Sequence, residues 1–313
     1  MPTSFFAAKP RKRASFRFRL PCSCGNFFPT PFVHGFKGAE IMLKSLTGRF
    51  GAWSPAASLR TLLAFGWSQA LSCAFPIVIF ASLGMTKLVH VPGLSRYDLL
   101  LVICLAAQAA MIWTRLETWD ELKVITLFHL IGLALELFKV NMGSWSYPGE
   151  AWSKLGGVPL YSGFMYASVG SYICQAWRRL GLQFHRWPNS YAAAGTALLI
   201  YANFFTHHWL PDLRWWLTAL LALLFWRTTV SYTAGGRTMR MPMLLSFALI
   251  ALFIWIAENI STFLGAWRYP DQELDWTMVH WSKLSSWFLL VVISILIVAQ
   301  LKRIKAHGNE SQA

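Results

Sequence analysis

The sequence predicts an all-α fold: a polytopic transmembrane helical bundle of about eight spans, with a candidate parallel four-plus-four internal repeat. Three observations predict it. Hydrophobic residues make up 56% of the 313 residues, charged residues only 13%, and the mean hydropathy is +0.44, too apolar for a soluble globule of this size. From about residue 60 onward, apolar segments near ~20 residues long recur between short charged loops, the length a helix needs to cross a ~30 Å hydrocarbon core. A ten-odd-residue phrase, finally, occurs twice at helix exits.

The formal net charge is +15, which in a soluble protein suggests nucleic acid. Here the basic residues gather in the N-terminal stretch and in alternate loops, where they orient helices in a bilayer. A nucleic-acid reader needs a basic face with an exposed stacking platform, and the sequence offers neither, so no nucleic-acid partner is expected. Of the five cysteines, Cys73, Cys104 and Cys174 lie in apolar segments and read as core fillers. Cys22 and Cys24 have one residue between them and no second Cys or His pair nearby, which is not a zinc-site spacing.

Three regions are expected in order. Residues 1–55 form a basic tail: Lys9, Arg11, Lys12, Arg13, Arg17 and Arg19 precede any acid, and Glu40 is the only acid before Asp98. Such a composition cannot bury a core and is expected to be disordered. No apolar stretch of signal-peptide length follows those charges before Met42, so no cleaved secretory signal is expected. A cytoplasmic tail, a start at Met42 and an Arg-rich transit peptide remain open alternatives. Residues 56–304 form the transmembrane domain and 305–313 a cytoplasmic tail. Eight segments are placed at 61–83, 97–114, 122–142, 157–177, 191–210, 214–231, 241–264 and 285–301. Trp215, Trp216, Trp226 and Arg227 crowd the ends of the sixth and leave it a short apolar middle.

Lysine and arginine then set the orientation. Arg115 and Lys123, then Arg178, Arg179 and Arg186, then Arg227, Arg237 and Arg240, then Lys302, Arg303 and Lys305 fall on the side of the basic N-terminus if there are eight spans. The opposite loops carry fewer cations, Lys139, Lys154, Arg214 and Lys283 among them, set against acids such as Glu150, Asp212 and Asp271. Both termini are therefore expected in the cytoplasm.

The repeated phrase is E-x6-G-x-W-x-Y-P. Glu136, Gly143, Trp145, Tyr147 and Pro148 spell it once, and Glu258, Gly265, Trp267, Tyr269 and Pro270 spell it again, each displaced by 122 positions. The third and seventh segments that carry it are separated by four spans, so both copies emerge on the outer side, as a parallel duplication requires. A second echo, Trp-Ser-Lys-Leu, stands at 152–155 and 281–284.

Glu136 and Glu258 each sit in an apolar helix. An ionised acid near a helix centre is unfavourable by about 2.5–3.5 kcal/mol, so each must face the bundle interior, find a donor or stay protonated. His129, Gly132, Glu136 and Lys139 share one face of the third segment. A straight helix would place Trp145, nine residues beyond Glu136, up to ~13.5 Å further along. Trp145, Tyr147, Trp267 and Tyr269 then sit near the outer interface, where they read either as an interfacial belt or as the walls of a site. His129 reads equally as a packing residue. In the fifth segment Asn203 and His207 share a face, whereas His208 is turned away by about 100°. Imidazole and carboxylate suit iron, manganese or zinc, but His129, His207, His208 and His280 are scattered without ligand spacing. No metal and no cofactor are expected.

The stretch from Glu136 to Pro148, its continuation from Gly156 through Ala167, and Asn203-Phe204-Phe205-Thr206-His207-His208 resemble the bacterial domain-of-unknown-function 817 family, over roughly residue 55 to the C-terminus. The resemblance implies a multi-spanning protein of the bacterial inner (cytoplasmic) membrane, and implies no reaction. A fainter resemblance is to membrane lycopene cyclases and carotenoid hydratases. It rests on Glu136, on Gly143-Ser144-Trp145-Ser146-Tyr147 and on Gly157-Val158-Pro159-Leu160; cyclases follow that proline with an acidic pair, where Leu160-Tyr161-Ser162 stands here.

No phosphate-cradling glycine loop, nucleotide fingerprint or nucleophile elbow occurs. The expected function is an intramembrane acid/base enzyme acting on a membrane lipid or isoprenoid. Glu136, Glu258, His129 and Lys139 are its candidate catalytic residues; Trp145, Tyr147, Trp267, Tyr269, Asn203 and His207 are its candidate substrate-binding residues. A proton-coupled small-molecule transporter and a non-catalytic lipid-binding or assembly protein are the alternatives.

Overall fold

In the computed structural model, which describes residues 55–310, nine α-helices and two small antiparallel sheets make up the described chain. The expected basic tail and the question of Met42 lie outside the described residues, as do Cys22 and Cys24.

The first expected span is a broken pair. Helices α1 (Pro55–Ser72) and α2 (Ala74–Leu88) meet at Cys73 with a bend of 64°. Pro76 accounts for the break: it has no N–H to give the carbonyl four residues back, and its ring crowds that carbonyl. Helix α3 (Arg96–Trp113) starts on the Ser95 cap, and α4 (Trp119–Asn141) starts on a capping box between Thr118 and Glu121. A two-residue turn at Gly156-Gly157 then joins β1 (Lys154–Leu155) to β2 (Val158–Pro159). This hairpin takes the first residues of the fourth expected span, so α5 runs from Ser162 to Leu180. Helix α6 (Ser190–Thr206) matches the fifth span, and α8 (Met243–Phe263) the seventh. Helix α9 (Lys283–Glu310) continues through the expected tail.

The sixth expected span, 214–231, requires correction. Helix α7 (Arg214–Phe225) has only 12 residues, and the chain then extends into β4 (Thr229–Ala234). That strand pairs with β3 (Gln183–His185) on one side and β5 (Arg237–Pro242) on the other. Gly235 and Gly236, which connect basic residues in the sequence, form the tight β4–β5 turn with φ of 57° and 76°, as a two-residue hairpin requires. The fold is thus mostly helical rather than all-α.

Helix α5 is the buried centre. Ser162, Ser171 and Gln175 on it are fully enclosed, and its polar side chains are tolerated because α1, α2, α4 and α9 surround it instead of lipid. Its contact with α4 is glycine-mediated: a Cβ on Gly132 would stand 2.3 Å from the Tyr166 ring, and one on Gly163 would stand 2.7 Å from His129. Small residues at such crossings let backbones approach where no water drives association. Helices α3, α4 and α8 are each long and apolar enough to cross a membrane, and the bent α1–α2 pair makes a fourth candidate. The protein is a multi-pass membrane protein. Helix α7 and the stretch Lys283–Ala299 of α9 are apolar but shorter.

Candidate functional site

Helices α4 and α8 end in the same six-residue device. Gly143 and Gly265 adopt left-handed φ of 68° and 72°. In the first copy Gly143 N–H donates to Val140 O at 3.0 Å and Ser144 N–H to Lys139 O at 2.9 Å; in the second, Gly265 N–H donates to Thr262 O and Ala266 N–H to Ser261 O, both at 2.9 Å. This is a Schellman closure, in which glycine lets the chain reverse over the last turn. The two reversed strands then meet in an antiparallel bridge between Ser146 and Arg268, so both helices finish at the same end of the bundle.

The reversal brings the aromatic residues back onto the glutamates. Glu136, 3% exposed, accepts hydrogen bonds from Trp145 Nε1 at 2.7 Å, from the Tyr147 hydroxyl at 2.8 Å and from the Tyr166 hydroxyl of α5 at 2.8 Å. Glu258, 4% exposed, accepts from the Tyr269 hydroxyl and, at 2.7 Å, from Trp287 Nε1 of α9. Each acid therefore binds the tyrosine of its own phrase. The two acids are linked through one ring contact, in which Trp145 packs edge-on against Tyr269 with centroids 6.0 Å apart.

Beside this linkage lies a cavity of about 220 Å³, lined by Glu258, Tyr166, Tyr269, Trp145 and Trp287. Lys139, Arg214 and Lys283 line it too, with Ile200, Leu289 and Leu290 as apolar contributors. Lys139, 3% exposed, places its ammonium 2.9 Å from His208 Nε2 and 3.5 Å from His207 Nε2, and 4.3 Å from the centre of the Phe204 ring. Lys283 lies over Tyr269 at 4.4 Å. Arg214 pairs with Asp212 at 3.0 Å.

In the loop between α6 and α7, burial works against ionisation of Asp212. The hydrogen bonds from Asn203 and the Arg214 backbone, with the Arg214 charge, outweigh it and hold the carboxyl below its ordinary range. Burial and the Lys139 charge push His208 down, so it favours the neutral imidazole. Among the described residues no three His, Cys, Asp or Glu side chains gather as metal ligands.

A family model described as "Protein of unknown function (DUF817)" matches residues 61–295. The chain belongs to the DUF817 family. A curated relative, the uncharacterized protein YoaT of Bacillus subtilis (strain 168), is 60% identical over 251 residues, covering 80% of this chain and 95% of YoaT. Among solved structures, the Insig homolog MvINS of Mycobacterium vanbaalenii aligns with a TM-score of 0.42 and 15% identity over 58% of this chain and 93% of its own. A cross-linked trimer of an MvINS cysteine variant aligns with a TM-score of 0.40 and 16% identity over 60% and 97%.

In this DUF817 member the sequence-derived candidates divide. Glu258, Lys139, Trp145, Tyr269, Asn203 and His207 all line the cavity. Glu136 and Tyr147 stand behind it, joined to it by Trp145 and Tyr166. His129 is elsewhere on α4: it packs on Phe164 with centroids 4.5 Å apart, and its Nδ1 is buried without a hydrogen-bond partner. Trp267 does not occupy on Glu258 the place Trp145 has on Glu136; Trp287 does. Asn203 ties the α6–α7 loop, donating to Asp212 at 3.0 Å and accepting from Leu213 N–H at 2.9 Å. His208 reaches Lys139 despite its helical phase, because α6 stops at Thr206 and the 100° step no longer applies.

Five contributors carry no signal in the repeated phrase: Tyr166, Trp287, Arg214, Lys283 and Arg96. Arg96 holds the α8 exit by donating to Leu264 O at 2.8 Å and Gly265 O at 2.9 Å. The Trp-Ser-Lys-Leu echo did point towards Lys283. Its counterpart Lys154 donates to the Tyr147 carbonyl at 2.6 Å, so each echo lysine approaches the tyrosine of its own phrase.

Proposed function

We infer that this DUF817 member is an intramembrane enzyme that works by acid–base chemistry on a membrane lipid or isoprenoid. One observation carries the reading: Glu258 and Lys139, a buried acid and a buried amine from different helices, line one cavity together with the aromatic side chains Trp145, Tyr166, Tyr269 and Trp287. Glu258 is the acid/base group, and Lys139 with His207 forms the opposing polar pair. Proton transfer by a positioned side chain in a water-poor site contributes about 10²–10⁴-fold in rate. Glu136 is a positioning residue, since its carboxylate already accepts three hydrogen bonds and fixes Trp145 and Tyr166.

The membrane arrangement belongs to the same proposal. The bent α1–α2 pair and helices α3 to α9 make eight crossings in the bacterial inner membrane, with both termini in the cytoplasm and the cavity at the outer end. The matching turns at 139–144 and 261–266 support a parallel duplication of four plus four.

The test is lipid and pigment profiling of a deletion strain complemented with the wild type or with Glu258→Gln. The expected outcome is one lipid species accumulating in both the deletion and the E258Q strain and returning to normal with the wild type. An unchanged profile in all three overturns the enzymatic reading. A second reading, proton-coupled transport, draws on His129 Nδ1, which is buried without a partner two helical turns from Glu136. Proton uptake into proteoliposomes that is lost in His129→Gln would favour it over the enzyme.

A further inference from the structure

The cavity is unbalanced in charge. Three cationic side chains, Lys139, Arg214 and Lys283, line it against the single carboxylate of Glu258. That carboxylate is already engaged, one oxygen by Tyr269 and the other by Trp287. Arg214 is matched by Asp212, but among the described residues neither Lys139 nor Lys283 has a carboxylate within ion-pair distance. Both ammoniums instead rest on aromatic rings, Lys139 over Phe204 and Lys283 over Tyr269. Buried and half-buried cations normally occur with a counter-charge, so two lysines that no carboxylate pairs with, beside an arginine already matched, suit an anion that comes from outside.

The depth of the cations selects the kind of anion. Lys139 lies two residues before the end of α4, and Arg214 and Lys283 are the first residues of α7 and α9. All three therefore stand at helix ends, which the proposed eight-span arrangement puts at the outer headgroup level. Glu258 is five residues inside α8, about 7.5 Å from the end of that helix at 1.5 Å per residue. Three point-like and forked donors converging from three helices suit a tetrahedral phosphate better than a planar carboxylate, which a single arginine grips bidentately. The flank of Ile200, Leu289 and Leu290 offers apolar surface to an attached chain.

We propose that Lys139, Lys283 and Arg214 form a binding site for a phosphate group, whose chemical source is a lipid phosphate monoester or free phosphate. This rests on the preceding reading only for the purpose of the site, and names the class of substrate that the acid–base chemistry would receive.

The test is titration of the purified protein in a neutral maltoside detergent with dodecyl phosphate, inorganic phosphate and dodecanol, followed by tryptophan fluorescence and by ³¹P resonance. Dodecyl phosphate is expected to bind, and to bind at least tenfold more weakly to Lys139→Gln and to Lys283→Gln, with affinity regained in Lys283→Arg. Dodecyl phosphate binding far more tightly than inorganic phosphate identifies a lipid head; equal affinity identifies free phosphate. Equal binding of dodecanol, or unchanged dodecyl phosphate binding in both glutamine variants, overturns the site. If Lys139→Gln fails to fold, the half-buried Lys283 decides alone. No turnover is needed, so failure here leaves acid–base catalysis standing, whereas an unchanged lipid profile in the E258Q strain removes catalysis and leaves the phosphate site.

Discussion

Ser146 and Arg268 hold each other by two backbone hydrogen bonds, Ser146 N–H to Arg268 O at 2.9 Å and Arg268 N–H to Ser146 O at 3.0 Å. They are equivalent positions of the repeated phrase, 122 residues apart. A pair that exchanges both bonds with its own counterpart has a local two-fold axis between its members, the relation expected of parallel repeats turned about the membrane normal.

That pairing is testable by cross-linking. Mutually hydrogen-bonded antiparallel residues have Cα atoms about 5.5 Å apart, inside the range a disulfide spans. Ser146→Cys combined with Arg268→Cys, with the five native cysteines replaced, is expected to lose about 2 Da by intact mass under mild oxidation. Either cysteine alone is expected to leave the mass unchanged.

The indole donors hold the two acids in place. Trp145→Phe removes one of three donors to Glu136, and Trp287→Phe one of two to Glu258. Leaving a buried acceptor short of a donor costs about 1–3 kcal/mol. Denaturant unfolding in detergent is expected to register a loss of this size for each, and the larger one for Trp287→Phe, whose acid keeps a single donor.

Gly132 controls Tyr166. An added Cβ would fall 2.3–2.5 Å from three carbons of the Tyr166 side chain, so Gly132→Ala must push α5 or that ring aside. Overpacking of this kind costs about 1–3 kcal/mol. The Tyr166 hydroxyl is expected to leave Glu136, and a crystal structure of the variant, or its lowered Tm with unchanged expression, checks the outcome.

At the opposite end of α4, Glu117 is buried in the loop after α3, where Gln108 and Ser171 donate to it. Burial raises its carboxyl above the ordinary glutamate range, against the lowering effect of those two hydrogen bonds. A folded pKa above the unfolded one means that stability is fully present below the unfolded pKa and falls as pH rises through the folded value. Glu117→Gln is therefore expected to raise Tm at pH 7 and to change it less near pH 4. Gln108 Oε1, which lacks a partner in the wild type, becomes the acceptor for the new amide. A Tm lowered at both pH values counts against this account.

Much of this arrangement is legible in the sequence because it follows from local pattern. The apolar segments give most of the helices, and the repeated phrase contains both members of two pairs that only the structure shows as pairs, Glu136 with Tyr147 and Glu258 with Tyr269. The estimate of ~13.5 Å for Trp145 assumed a continuing helix, and Gly143 reverses the chain instead. Pro76 is plain in the sequence, yet hydropathy runs unbroken across it. Thr229-Val230-Ser231-Tyr232 reads as the tail of an apolar helix, and only pairing with β3 and β5 makes it a strand. Tyr166 and Trp287 come from neighbouring helices; which aromatic residue reaches a buried acid across a helix interface is settled by packing, not by spacing along one chain.

Helix α7 carries exposed tryptophans at both ends, Trp215 and Trp216 at one and Trp226 at the other. From Trp216 to Trp226 the rise is about 15 Å, half of a ~30 Å hydrocarbon core. Indole rings seek the two water-facing boundaries of a bilayer, and a stretch this short draws those boundaries together. Arg214, at the end of the same helix, opens onto the cavity. An α7 set across the bilayer, as the proposed eight-span arrangement has it, would therefore have to draw the two boundaries together beside the cavity.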